Sequence, residues 1–169
     1  MKLIAAVALT LFSCALTAQA PKIAARSAAM RADAQGCHLL VPAEMGSGGS
    51  LRWIGTCRNG LAEGPGVIRV QVEASDVRLF AGVMRAGQPV AGFLDMGPNF
   101  NFDSGGPALH FKGADALPVA NPAQVQQACN IAAQGAHAAS ALLRAANNPA
   151  SASFYEQWVT SLKHCNEPE

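Results

Sequence analysis

The sequence lacks any apolar run long enough to cross a membrane: the run within the first 20 residues is too short, and nothing later in the chain approaches the required length. A transmembrane helix needs about 20 consecutive apolar residues, so we expect no span in the mature chain. The sequence also lacks a phosphate-binding glycine loop, a dinucleotide-binding fingerprint and a helix with paired metal ligands. No segment nominates a pair of carboxylates for glycoside hydrolysis. The sequence therefore indicates no cofactor and no catalytic constellation.

The sequence also has no marked surplus of positive or negative charge. The chain has 12 Lys and Arg residues against 11 Asp and Glu residues, and loss of an N-terminal segment containing Lys2 would leave 11 of each. Proteins that bind nucleic acid present stripes of basic side chains, whereas here the basic residues are scattered singly among acidic ones. The composition excludes nucleic acid as a partner and argues against electrostatic adhesion to anionic lipid.

The N-terminus has the three parts of a secretory signal peptide. A basic start at Lys2 is followed by the apolar run Leu3 to Phe12 and then by small residues. Cleavage after Ala18 is favoured, because cleavage after Ala20 would place Pro21 first in the mature chain. We therefore expect a signal peptide at residues 1–18 and a periplasmic or secreted protein.

Two features near the N-terminus stay open. Leu11 to Cys14 resembles the lipobox at which bacterial lipoproteins are acylated, although Phe12 is bulky for that motif. We interpret Cys14 as one more apolar residue of the signal peptide, with lipid anchoring through Cys14 as the alternative. Residues 19–36, rich in Ala and carrying Arg26 and Arg31, form an N-terminal spacer that is either a helix or a loose segment.

Four further cysteines follow in the exported part: Cys37, Cys57, Cys129 and Cys165. An even number of cysteines in an exported chain indicates disulfides, since oxidising compartments let them persist. Two cysteines flank the β-like first half and two flank the helical end, so we pair Cys37 with Cys57 and Cys129 with Cys165. A zinc site would favour ligands two to four residues apart, which no pair here provides.

Residues 37–112 have the pattern of a β-domain. Gly and Pro punctuate short runs rich in Val, Ile, Phe and Trp, which are strand signals. Alternation such as Val70 and Val72 against Arg69 and Gln71 indicates a sheet with one buried face. The predicted strands are His38 to Val41, Leu51 to Cys57, Gly66 to Glu73, Val77 to Met84, Val90 to Asp95, Asn99 to Asp103 and Ala108 to Lys112.

This β-domain contains an internal repeat. Trp53, Gly55, Arg58 and Gly60 recur 27 residues later as Phe80, Gly82, Arg85 and Gly87. The pair Asn59-Gly60 favours a tight hairpin turn, and Gly64 and Gly66 would let an aromatic ring lie close to the strand. Two copies of one hairpin are expected, with Trp53 and Phe80 along one sheet.

The first copy resembles a MORN repeat. Its pattern of an aromatic followed by glycines is met by Trp53, Gly55, Asn59, Gly60, Gly64 and Gly66, and the second copy keeps Phe80, Gly82 and Gly87. Ala91 and Phe93 stand where the later glycines of the second copy belong. The resemblance covers about a third of the chain and implies stacked hairpins used for contacts with proteins or, more contentiously, with lipids. The alternative is that these residues only build the sheet.

Residues 121–165 read as a helical hairpin. Asn121 and Pro122 are typical of a helix start, and an Ala-rich helix follows to Ala146. A second helix, Ser151 to His164, places Phe154, Trp158 and Leu162 on one face, with Val159 beside them. An antiparallel pair would bring Cys129 and Cys165 to similar heights. The hairpin either packs on the sheet or protrudes as an interaction arm.

One segment resembles an active-site motif. Asp103 to Pro107 is similar to the nucleophile segment of chymotrypsin-like serine proteases, and His38, Asp76 or Asp95, and Ser104 occur in a suitable order. The 66 residues between His38 and Ser104 cannot build the two barrels of that family. We interpret the segment as a turn between strands.

These observations predict an α+β fold, in which an antiparallel β-meander of MORN-like hairpins precedes a C-terminal α-helical hairpin. The expected function is that of an exported, non-catalytic bacterial envelope protein that binds another envelope protein, with lipid and glycan as other possible partners. The alternative is a small secreted serine hydrolase that uses Ser104.

Overall fold

The computed structural model describes residues 29–95, 108–112, 115–119 and 121–163. Several sequence predictions fall outside these ranges. They are the signal peptide at residues 1–18 with Cys14, the strand Asn99 to Asp103, the Ser104 segment, His164 and Cys165.

The described chain contains eight strands, a short 3-10 helix and two α-helices. The strands are β1 (Ala29–Ala32), β2 (His38–Val41), β3 (Ser50–Arg58), β4 (Leu61–Gln71), β5 (Val77–Arg85), β6 (Gln88–Asp95), β7 (Ala108–Lys112) and β8 (Asp115–Pro118). The 3-10 helix is Ala43–Met45, and the α-helices are α1 (Pro122–Ala145) and α2 (Pro149–Lys163). The predicted α+β fold is confirmed.

The strands form one sheet. Strands β3 to β8 pair in succession, each antiparallel to the next, as a meander requires. Strand β1 pairs antiparallel with β2, and β2 touches the start of β4 through a single parallel pair, His38 with Leu61. Strand β3 pairs only with β4 among the described strands, which leaves its other side at the sheet margin.

The two central hairpins turn at Asn59-Gly60 and Ala86-Gly87. All four residues have positive φ, between 49° and 76°. Two consecutive left-handed residues give the hairpin turn whose twist matches that of the flanking strands. The repeat therefore places the same turn at the ends of β3 and β5.

Two predicted boundaries of the β-domain are wrong. The spacer at residues 19–36 includes β1, which is neither helix nor loose segment, and β8 extends the sheet beyond residue 112. Both strands have only four residues and show little alternation of apolar and polar side chains, so the sequence carries no clear strand pattern there. They are strands because β1 pairs with β2 and β8 pairs with β7. The first described strand of the sheet thus begins at residue 29 and the last ends at residue 118, outside the predicted bounds of 37 and 112.

Both faces of the sheet are buried. One face, with Ile54, Val67, Leu79 and Phe93, packs against the helices. The opposite face, with Trp53, Ile68, Phe80 and Leu94, is covered by β2 and the 3-10 helix. The buried side chains of that cover include Leu39, Val41 and Met45.

The helical hairpin packs on the sheet, which decides between the two predicted arrangements. The Asn121 side chain caps α1 by accepting hydrogen bonds from the N–H groups of Ala123 and Gln124, as predicted. The alanine face of α1 allows close approach of α2, where Ser140 Oγ donates to the Ala152 carbonyl (3.0 Å). On α2, Trp158 and Leu162 are buried.

Candidate functional site

Four glycines lie side by side across the centre of the sheet. Gly55 of β3 pairs with Gly66 of β4, which pairs with Gly82 of β5, which pairs with Gly92 of β6. We call these residues the glycine row. Because no Cβ projects from them, the sheet is reduced here to its backbone.

Aromatic rings occupy the space that the missing side chains leave. A Cβ on Gly55 or Gly66 would lie 2.2–2.4 Å from the Trp53 ring, and a Cβ on Gly82 or Gly92 would lie 2.6–2.7 Å from the Phe80 ring. The Trp53 Nε1–H donates to the Thr56 carbonyl (2.9 Å), which fixes the ring over the strand. Both aromatics of the repeat therefore lie on the same face of the sheet.

Helix α1 crosses the other face of the glycine row. A Cβ on Gly135 would come within 2.6 Å of the Gly66 carbonyl oxygen and 2.7 Å of the Gly82 nitrogen. The helix backbone thus rests almost directly on the sheet backbone. The helices, the sheet and the aromatic layer are consequently held in close register.

The two copies of the repeat differ by one residue after the turn. Pairing shifts between Gly55 and Thr56 in the first hairpin and between Val83 and Met84 in the second. Gly66 follows Gly60 by six positions, but Gly92 follows Gly87 by five, so a uniform offset of 27 places Phe93 at the glycine position. In the structure Gly92 occupies that position, against Phe80, and Gly64 serves the bulge through its φ of 75° and not by ring contact.

A surface cleft opens where β3 meets the C-terminal end of α1. We call it the β3 cleft; it has a volume of about 280 Å³. Its lining includes Arg52, Ile54, Leu142, Leu143 and the disulfide. The cleft thus combines apolar side chains with an exposed arginine.

Asp33 fixes one wall of the β3 cleft. Its Oδ1 accepts from the N–H groups of Gln35 and Cys37 (2.9 Å each), and its Oδ2 accepts from the Trp53 N–H (3.1 Å). Asp33 is 7 % exposed. Asp33 therefore joins the β1–β2 turn to β3, and its role is structural positioning of the cleft.

The Cys37–Cys57 disulfide forms part of the same wall. The bond joins β3 to the residue before β2, with a Cα–Cα distance of 5.9 Å, and confirms the predicted pairing. Cys37 is buried and Cys57 is exposed. Cys129 is also disulfide-bonded, whereas Cys165 lies outside the described residues, so the pairing of these two stays a prediction.

Arg52 and Arg69 lie directly opposite each other on β3 and β4. Strand alternation places them on the helix-covered face with Ile54 and Val67. Arg69 Nη2 donates to Gln71 Oε1 (3.1 Å). Neither guanidinium is in the ion pairs found among the described residues, which join Arg78 to Asp76 and Arg144 to Glu156.

Tyr155 of α2 lies close to these two arginines. Burial raises the pKa of its phenol, while the positive charges of Arg69 and Arg52 lower that pKa. The side chain is 3 % exposed and belongs to the helix-facing core. The sequence predictions did not include Tyr155 in this core.

The sequence did not nominate the arginine pair either. A hairpin without irregularity around Asn59-Gly60 would place Arg52 opposite Val67. The bulge at Gly64 and Pro65 adds two residues and brings Arg69 to that place. The glycine at position 64 was the available signal, since glycine inside a strand marks a bulge.

The residues of the alternative hydrolase are not brought together by any described contact. His38 is exposed on β2, and Asp76 is engaged by Arg78 through Oδ1 and Oδ2. Ser104 lies outside the described residues. Within the ranges that the structure covers, no group of three or more His, Cys, Asp or Glu residues could hold a metal ion.

The described helices include none that is both long enough and apolar enough to span a membrane. Comparisons with known proteins add no relative from which a site could be transferred. No family model matches the chain, and neither a curated protein nor a solved structure matches it.

Proposed function

We propose that the protein is an exported, non-catalytic module that binds another envelope protein through the β3 cleft. The observation that carries the proposal is an apolar, solvent-open cleft at the margin of the sheet. Leu142 is 45 % exposed there, and Leu143 and Ile54 lie below it. Clefts lined by apolar groups with a few polar ones are the usual form of a binding site.

Several contacts hold the walls of the cleft in place, which favours a binding site over a mere gap between packed elements. Asp33 ties its turn to β3, the disulfide closes the same turn, and Trp53 is fixed between them. A preformed site loses less conformational entropy when a partner binds. The resemblance of the hairpins to MORN repeats supports a role in protein contacts.

The disulfide also supports the cellular location. Disulfides persist in oxidising compartments, so the Cys37–Cys57 bond indicates a place outside the cytoplasm. Together with the signal-peptide pattern of residues 1–18, it supports a periplasmic or secreted module. The partner expected in that compartment is another envelope protein.

A comparison of two exposed apolar residues tests the proposal. The mature protein carrying a photo-crosslinker at position 142 is exposed to envelope extract, and position 30 serves as the control because Met30 is 49 % exposed on β1, away from the cleft. We expect a discrete crosslinked protein from position 142 alone. An excess of unlabelled wild-type protein should remove this crosslink by competition, whereas an excess of the unlabelled Leu142→Asp variant should not. Equal crosslinking at both positions, or none at 142, would contradict the proposal.

A further inference from the structure

The geometry points to an anion-binding site formed by Arg52 and Arg69, and we infer that it receives a carboxylate of the partner segment bound at the β3 cleft. This inference rests on the proposed function, because the cleft supplies the apolar part of the same contact. It adds the chemistry of the partner: an acidic side chain next to an apolar one.

The two arginines form an unusual pair. Residues directly opposite each other on antiparallel strands have Cβ atoms about 5 Å apart, and like charges there destabilise the sheet. Arg52 and Arg69 occupy such positions without a carboxylate partner among the described residues. An anion supplied from outside would remove this repulsion.

The two arginine side chains differ in their exposure to solvent. Arg69 is half-buried and is held by Gln71, whereas Arg52 is exposed and lines the cleft. A guanidinium presents several N–H groups in a fixed plane, which matches the two oxygens of a carboxylate. Glu156 of α2 is engaged by Arg144, and Asp33, which lines the same cleft, accepts hydrogen bonds from three backbone N–H groups.

The surroundings favour a protein carboxylate over a lipid headgroup. Binding to an anionic membrane requires a broad basic surface, and the mature chain has balanced charge. Arg52 shares its cleft with Leu142 and Leu143, which suit an apolar side chain. An extended peptide with a Glu or Asp beside a Leu-like residue has the required chemistry.

The sole tyrosine of the chain provides the readout. Because both arginines lower the pKa of Tyr155, an anion bound between them should raise that pKa. Phenolate absorbance of the mature protein is followed against pH in sodium succinate and in sodium chloride of equal ionic strength. We expect succinate to shift the tyrosine titration to higher pH and to raise the melting temperature.

Three variants make the test specific. In the Arg52→Gln/Arg69→Gln double variant the apparent affinity for succinate should fall at least tenfold, while Arg85→Gln, an exposed arginine on the far end of β5, should leave it unchanged. Arg52→Lys should bind more weakly than the wild type but retain part of the shift, because charge remains and the planar fork is lost. Equal responses to succinate and chloride, or a response unchanged in the double variant, would overturn the site.

Two further experiments are needed. The first distinguishes a protein carboxylate from a lipid headgroup, and the second distinguishes failure of the anion site from failure of the proposed function. Stronger binding of inorganic phosphate together with retention on phosphatidylglycerol vesicles would overturn the carboxylate assignment in favour of a lipid headgroup. A carboxylate at position 142 would itself compete for Arg52, so the uncharged variant Leu142→Ser is used here. Unlabelled Leu142→Ser should fail to compete for the crosslinked partner while keeping the succinate response of the wild type. A succinate response with no partner at position 142 would therefore refute the proposed function and leave the anion site standing.

Discussion

Ala86 adopts a backbone conformation that L-residues with a Cβ rarely occupy. Its φ is 49°, close to the 52° of Asn59 at the equivalent place in the first hairpin. The Ala86 N–H donates to Glu63 Oε2 (2.8 Å), which anchors this strained turn to β4. The second copy of the repeat thus retains the turn geometry without the residue that favours it.

We expect Ala86→Asn to stabilise the protein by about 1 kcal/mol, because Asn tolerates the left-handed region that costs Ala roughly that amount. Urea unfolding of the mature protein measures the change. The reciprocal variant Asn59→Ala should destabilise by a similar amount. A lower stability for Ala86→Asn would show that the turn is not strained.

At the scale of elements, local chemistry determined what the sequence could predict. The strands His38–Val41 and Ala108–Lys112 agree with their predicted bounds, and the Asn121 cap and the turn at Asn59 were found because each depends on one or two residues. Strand β1 could not be found, since four residues acquire strand structure only through pairing with β2.

The candidate site depended on features of longer range. The Cys37–Cys57 wall was predicted from cysteine parity. The repeat predicted a ring close to Gly64 and Gly66, and the structure places the Trp53 ring at Gly66 and Gly55, with nothing near Gly64 among the described residues. The arginine pair required the register after the bulge, and the cleft required α1 to end over β3. The cleft does not follow from local sequence, because it is set by how elements pack. For the arginine pair the local signal was Gly64, which marks a bulge but not the number of residues that the bulge adds.

A substitution at Gly135 tests whether α1 rests directly on the glycine row. In Gly135→Ala the new Cβ would meet backbone atoms of Gly66 and Gly82 that no rotamer change can move, so we expect a loss of about 2 kcal/mol despite the higher helix propensity of Ala. Thermal unfolding measures it. Gly48→Ala is the control, since nothing lies within 4 Å of its added Cβ. Equal stabilities of the two variants would mean that α1 does not rest on the glycine row.

At the scale of the whole molecule, two apolar layers share one sheet. The helices pack on one face, and β2 with the 3-10 helix packs on the other, so the stability of the fold depends on both layers staying packed on the sheet. The Cys37–Cys57 bond closes a separation of 20 residues and joins the β2 segment to β3, a restraint worth about 3 kcal/mol by loop entropy. Tyr155 occupies the helical layer, where its ionisation reports on the integrity of that layer.

Stability should therefore decline at alkaline pH. The folded state holds the Tyr155 proton more tightly than the unfolded state, whose pKa is about 10, so the contribution is fully present below that pH and is lost as the pH rises through the folded pKa. Guanidinium unfolding at pH 8 to 11 should show this decline, and Tyr155→Phe should reduce it. An identical slope in the variant would assign the decline to other groups.

The glycine row makes the centre of this protein unusually thin. Only one layer of peptide groups separates the α1 backbone from the Trp53 ring, and that ring lies beside the β3 cleft. A shift of the helix on one side must displace the ring on the other, because there are no intervening side chains to absorb it. Whatever presses on the outer surface of the helical hairpin is thus mechanically coupled to Trp53, which forms part of the wall of the β3 cleft at the sheet margin.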